Sequence, residues 1–109
     1  MKNNQYITMG ILNKLTSIFK QGTMDYREKI NNGAVVVDVR SKEEFKSGNA
    51  KGSMNVPLQT IGAHVEKLKG KEVILVCMSG GRAGSAKGLL ERNGITAHNA
   101  GAWQNVSYN

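Results

Sequence analysis

The chain carries one cysteine, Cys77, in 109 residues, which excludes an internal disulfide framework. A lone thiol persists most readily in a reducing compartment, so the expected location is the cytoplasm. Only two histidines accompany it, His64 and His98, too few for a closed zinc site; neither a metal nor any other cofactor is expected. Six aromatics (one Trp, three Tyr, two Phe) leave little for base stacking. The net charge of +7 is spread evenly: residues 1–33 hold five basic and two acidic groups, residues 34–70 six and four, and residues 71–109 four and two. With no basic block, a nucleic-acid partner is not expected, and the charge reads as a solvated surface. No apolar run approaches the roughly 20 residues of a membrane span, and there is no internal repeat.

What is present fits one domain. A chain of 109 residues with 39% hydrophobic content can bury a single core. The opening MKNNQYITMGILNKLTSIFK is too interrupted for a signal peptide, but Ile11, Leu12, Leu15, Ile18 and Phe19 recur at helical spacing. That stripe is expected to pack on the domain, with docking on a membrane or a partner as the alternative; Met9, just before it, is an alternative start to Met1. The division expected is an N-terminal helical extension at 1–23, a domain at 24–106 and a short tail at 107–109.

Along the domain, Tyr26, Lys29 and Ile30 suit a short helix that stops at Asn32-Gly33. AVVVDV (34–39) and EVILVC (72–77) are short, unalternating apolar runs, as expected of strands buried on both faces. Ser41 and Glu44 have capping-box spacing for a helix to about Lys46. Residues 53–56 read as a short strand before Pro57, the only proline. Leu58, Ile61, Val65 and Leu68 mark one helical face that ends at Gly70. A helix over 82–93 presents Ala83, Ala86, Leu89 and Leu90, ITAHN (95–99) is a final strand, and Trp103 opens a closing turn. Strands alternating with helices predict a three-layer α/β domain with a mostly parallel sheet of four to five strands and helices on both faces.

The chemistry gathers at Cys77-Met78-Ser79-Gly80-Gly81-Arg82. Cys77 ends a predicted central strand, where open α/β sheets place ligands, and a helix starts about five residues later. A buried strand-end cysteine is one reading, since free cysteine packs well in cores. A nucleophile is the other: a glycine-rich loop can aim successive N–H groups inward, and the helix N-terminus adds partial positive charge, both favouring a thiolate. Cysteine phosphatases place five residues between Cys and Arg; four separate Cys77 from Arg82 here, and the tighter ring suits a single bound atom such as the outer sulfur of a persulfide.

These residues resemble the Cys-x-x-Gly-x-Arg loop of single-domain rhodaneses. DVRSKEEFKSGNAKGSMNVPL (38–58) is similar to that family's Asp-Val-Arg segment, and NAGAWQNV (99–106) to its terminal Gly-Gly-x-x-Trp region. The resemblance spans about residues 24–106 and implies a sulfurtransferase: Cys77 takes a sulfane sulfur from thiosulfate or a persulfide donor, small molecule or protein, and passes it to a thiol or cyanide. It implies that the main chain of Met78, Ser79, Gly80, Gly81 and Arg82 holds the persulfide, with Asp38, Arg40 and Glu44 supporting the loop; Arg82 would pair with Asp38 or Glu44. A sulfur carrier or interaction module is the alternative function. A monomer is expected. Three features depart from the family: Met78 and Ser79 are neutral where a basic residue is frequent, favouring a persulfide over thiosulfate; Gly48-Asn49 replaces a frequent Gly-His; and 11–19 reads as helix where a strand is common. His64, read as solvent-exposed, and His98, read at a strand end, are given no catalytic role, and Trp103 is assigned to packing beside the loop.

Overall fold

The centre of the molecule is the run EVILVC, which no helix could bury so completely in so few residues. In a computed structural model that describes residues 24–108, it forms a strand whose residues Val73 to Cys77 are all buried. Elements follow in the order α1 (Arg27–Asn31), β1 (Val35–Asp38), α2 (Lys42–Lys46), β2 (Met54–Asn55), a 3-10 helix (Leu58–His64) running into α3 (Val65–Leu68), β3 (Glu72–Cys77), α4 (Gly81–Arg92), β4 (Thr96–Ala102) and a 3-10 turn (Trp103–Val106). Among the described residues the sheet has four strands in the order β2-β1-β3-β4, all parallel. The apolar stripe at 11–19 lies outside the described residues.

Because β3 is central, its alternate side chains feed two cores. Val73, Leu75 and Cys77 pack with Ile61, Val65, Leu68, Ala83, Ala86 and Leu90 from the 3-10 helix, α3 and α4. Ile74 and Val76 face the other way, toward Tyr26, Ala50, Ala100 and Val106. A strand buried on both faces has no solvent side to alternate with, which is why its sequence is uniformly apolar.

Several boundaries differ from the sequence reading. Residues 58–68 were expected as one α-helix; the first seven instead wind as a 3-10 helix. Pro57 supplies a carbonyl that accepts both the Thr60 N–H at 2.8 Å and the Thr60 hydroxyl at 3.0 Å, an i,i+3 start, and the β-branched Thr60 and Ile61 with Gly62 add little α preference. The strand expected at 53–56 shrinks to two residues on the sheet edge. The last strand runs three residues beyond Asn99, to Ala102, through an irregularity in the ladder. His98 is therefore opposite Ile74 inside β4 instead of at a strand end, and its Nε2 meets the Glu72 carboxylate at 2.5 Å. His64 is half-buried, not exposed, with Nδ1 3.1 Å from the Thr60 carbonyl. Tyr108, assigned by sequence to a terminal tail, folds back on α1: its hydroxyl accepts the Tyr26 N–H at 2.9 Å, and its ring lies under the Arg27 guanidinium.

Candidate active site

The carboxyl end of β3 delivers Cys77 into a turn of three residues before α4 begins at Gly81. Gly80 makes the turn possible, because its φ of +105° lies in the left-handed region that costs any residue with a Cβ. In that conformation its N–H points back at the cysteine and donates to Sγ at 2.9 Å. The Ala83 N–H, in the first turn of α4, donates to the same sulfur at 3.5 Å. Cys77 itself is 0% exposed, while Met78 beside it is 50% exposed and Ser79 also faces solvent, so the sulfur lies under a thin cover.

Burial is the largest single influence on the Cys77 thiol and works to raise its pKa. The N–H groups of Ala83, Gly80, Ser79 and Arg82 act against it and together prevail, holding the thiol below its ordinary value. This is the balance expected of an anion cradle at a helix N-terminus: solvent is removed, and fixed dipoles replace it.

Arg82 leaves α4 toward α2, where the bidentate pair with Glu44 has Nη1–Oε1 and Nη2–Oε2 distances of 2.7 and 3.0 Å. The capping box aims that carboxylate: Glu44 Oε1 also accepts the Ser41 N–H at 2.9 Å, while the Ser41 hydroxyl accepts the Glu44 N–H. The Arg82 guanidinium, first, and the Ser41 N–H, second, pull the Glu44 carboxyl down to about 2. Arg82 in turn is held more firmly protonated, by Glu44 above all. A cation in the first turn of a helix opposes the macrodipole, and the Glu44 carboxylate offsets that penalty.

Of the two carboxylates considered for Arg82, Asp38 is not used. It is fully buried and paired with Arg40, whose Nη2 lies 2.8 Å from Asp38 Oδ2 and 2.7 Å from the Gly48 carbonyl. Trp103 stacks on this guanidinium, 5.1 Å from its ring centroid, and also covers Gly48, where a Cβ would approach the indole to 3.3 Å. Asp38 and Arg40 thus brace the segment that carries Glu44, one step removed from the loop. Two main-chain N–H groups reach Cys77 Sγ, those of Gly80 and Ala83, and Ala83 lies outside the 78–82 set that the resemblance implies for the persulfide. Nothing in the sequence distinguishes Ala83; its role follows from the pitch of the first helical turn.

A concavity of about 400 Å³ at the amino end of the sheet is lined by Gly70, Lys71, Glu72, Gly94 and Thr96, and Cys77 is not among its lining residues. Among the described residues there is no cluster of metal-ligating side chains, and no helix is long and apolar enough to cross a membrane.

The profile of the rhodanese-like domain matches residues 23–108. The chain belongs to the rhodanese-like domain family. A Bacillus subtilis protein described as uncharacterized protein YqhL is 34% identical over 64 residues, 58% of this chain and 51% of that one, so the match spans about half the relative's length. Among solved structures, reduced Bacillus anthracis CoADR-RHD superposes with a TM-score of 0.65 at 25% identity, over 89% of this chain and 19% of that one. An E. coli rhodanese with anions superposes with a TM-score of 0.64 at 23% identity, covering 71% and 95% of the two chains, a likeness of fold. The rhodanese-like fold expected from the sequence is thus the fold observed.

Proposed function

We propose that this rhodanese-like domain is a sulfurtransferase that works through a persulfide on Cys77. The observation that carries the reading is the pair of N–H groups, from Gly80 and Ala83, directed at one buried sulfur, with Arg82 of the same helix turn paired to Glu44. In the first half-reaction the Cys77 thiolate attacks the sulfane sulfur of a persulfide or of thiosulfate. The donor's S–S bond breaks, its electron pair leaves with the thiolate or sulfite, and Cys77–S–S⁻ forms. In the second, a thiol or cyanide attacks the outer sulfur and the electron pair returns to Cys77. The two steps balance without a cofactor, and the N–H ring hydrogen-bonds the anion at each stage. The neutral, exposed Met78 and Ser79 at the mouth favour a persulfide donor over doubly charged thiosulfate. The catalytic unit is the rhodanese-like domain, matched over residues 23–108 and including Tyr108, acting as a monomer; its unpaired thiol suits the cytoplasm.

Incubation with a sulfane-sulfur donor followed by intact-mass measurement is expected to show one added sulfur atom, lost in Cys77→Ala. Absence of an adduct with every donor tried would sink the reading. The complete burial of Cys77 favours one alternative, a carrier or interaction module that exchanges sulfur only when a protein partner opens the loop. Rapid turnover with a small-molecule donor and acceptor would exclude it; loading without release would support it.

A further inference from the structure

Beyond the Cys77–Arg82 loop and its Glu44 brace, one strand reaches the site by an unusual route. Between β3 and β4 the ladder pairs Leu75 with Asn99 and Cys77 with Ala102, so β4 carries one residue more than β3 over this stretch. This is a β-bulge, and Gly101, with φ +79°, sits within it. A bulge leaves ladder groups unpaired, and here two side chains meet them. Asn99 Oδ1 accepts the Gly101 N–H at 2.9 Å, and Asn105 Nδ2 donates to the Ala100 carbonyl at 2.7 Å. The consequence lies across the bulge: Asn99 Nδ2 donates to the Gly80 carbonyl at 2.9 Å. That carbonyl also accepts the Gly84 N–H at 2.9 Å, so Gly80 is tied at once to β4 and to the first turn of α4.

We infer that Asn99 is a positioning residue of the Cys77 site: the bulge turns its amide onto the Gly80 carbonyl, and this clamp holds the Gly80 N–H on the cysteine sulfur. Gly80 occupies a left-handed conformation with no side chain of its own to hold it there. Its Cβ position would lie 3.5 Å from Gly101 Cα and 3.6 Å from Asn99 Oδ1, so the bulge also forms the wall behind the turn. Without the amide, the loop can relax and the shorter of the two N–H to sulfur bonds lengthens. Asn99 is exposed and belongs to neither core, so its structural work lies in its two hydrogen bonds, one within the bulge to Gly101 and one across it to Gly80. The inference rests on Cys77 as the reactive group.

The test exploits Cys77 being the sole thiol: its alkylation by iodoacetamide is followed against pH by intact mass, with amide exchange at Gly80 as a second readout. In Asn99→Ala the alkylation midpoint is expected to rise by about one pH unit, slowing reaction near neutrality by up to about tenfold, with faster exchange at Gly80. Asn105→Ala removes a bulge hydrogen bond that does not involve Gly80 and is expected to move the midpoint by clearly less than Asn99→Ala does. A folded Asn99→Ala protein with an unchanged midpoint overturns the inference, as does an equal shift in Asn105→Ala. If Asn99→Ala does not fold, Asn99→Asp decides: it keeps the acceptor for Gly101 and lacks the donor to Gly80, and high salt screens its charge. A raised midpoint there supports the clamp, and an unchanged one removes it. Alkylation reports the thiol and not sulfur transfer, so a protein that takes up no sulfur would refute the proposed function while this assay still judged Asn99.

Discussion

Two arginine–carboxylate pairs lie at the short α2 segment, close in shortest distance and opposite in setting: Arg40 meets Asp38 side-on through Nε and Nη2, and Arg82 meets Glu44 end-on through both Nη atoms. Arg40 meets Asp38 at 2.8 Å with side chains 2% and 0% exposed. Arg82 meets Glu44 at 2.7 Å with side chains 37% and 31% exposed. The buried pair finds its partners inside the protein, with the Gly48 carbonyl accepting from Arg40 Nη2 and the Trp103 ring against the guanidinium. Such a pair contributes little net stability over an apolar filling, but losing one member strands a charge without solvent. The half-exposed pair can lose a partner to water, and its energetic weight is small. Its value lies in direction: it fixes an arginine in the first turn of α4, one residue before the Ala83 N–H that faces the sulfur. Similar distances therefore serve different ends, and burial decides which.

The largest effect expected separates the two pairs by stability. Arg40→Ala should cost about 3–5 kcal/mol, a large share of a small domain's margin, measured by denaturant unfolding. Arg82→Gln should unfold at nearly the wild-type denaturant concentration, yet slow sulfur loading of Cys77 by about tenfold in a mass-detected time course. Equal destabilisation by both would break the comparison. Next comes Gly80→Ala, which forces a Cβ into a backbone at φ +105° and should cost about 1–2 kcal/mol, with the Cys77 alkylation midpoint moving up. The smallest effect is a pH dependence. The Glu44 carboxyl is pulled from 4.5 to about 2 by Arg82, so its contribution is complete above pH 4.5 and is lost as pH falls toward 2. Glu44→Gln should flatten that part of the acid-unfolding curve. An unchanged curve would mean the Arg82 pair is not maintained in solution.

How far the sequence could be read depended on whether an interaction is local. The capping box joins Ser41 and Glu44, three positions apart, and was legible as a spacing. So were the buried runs around Val36 and Ile74, the glycine turn and the four-residue interval from Cys77 to Arg82. The choice between Asp38 and Glu44 was not legible. Both carboxylates lie a few residues apart in sequence, and what excludes Asp38 is its enclosure with Arg40 beneath Trp103, sixty-odd positions away by numbering. Asn99 and Ala83 were invisible for the same reason: the asparagine reads as the last residue of a strand, and an alanine in a helix reads as packing. Only the bulge opposite Val76 shows what the asparagine touches.

The sequence by itself determined the two central strands, the parallel α/β order, and one thiol at a strand end ahead of a glycine turn and a helix. Those features depend on local pattern: apolar runs too short for helices, residues tolerant of positive φ, and capping chemistry. Tertiary structure alone decided which N–H groups reach Sγ, which carboxylate holds Arg82, and which strand braces Gly80. Hydrogen bonds reward distance and angle to within a few tenths of an ångström, and such distances between remote segments exist only after the sheet has set its register.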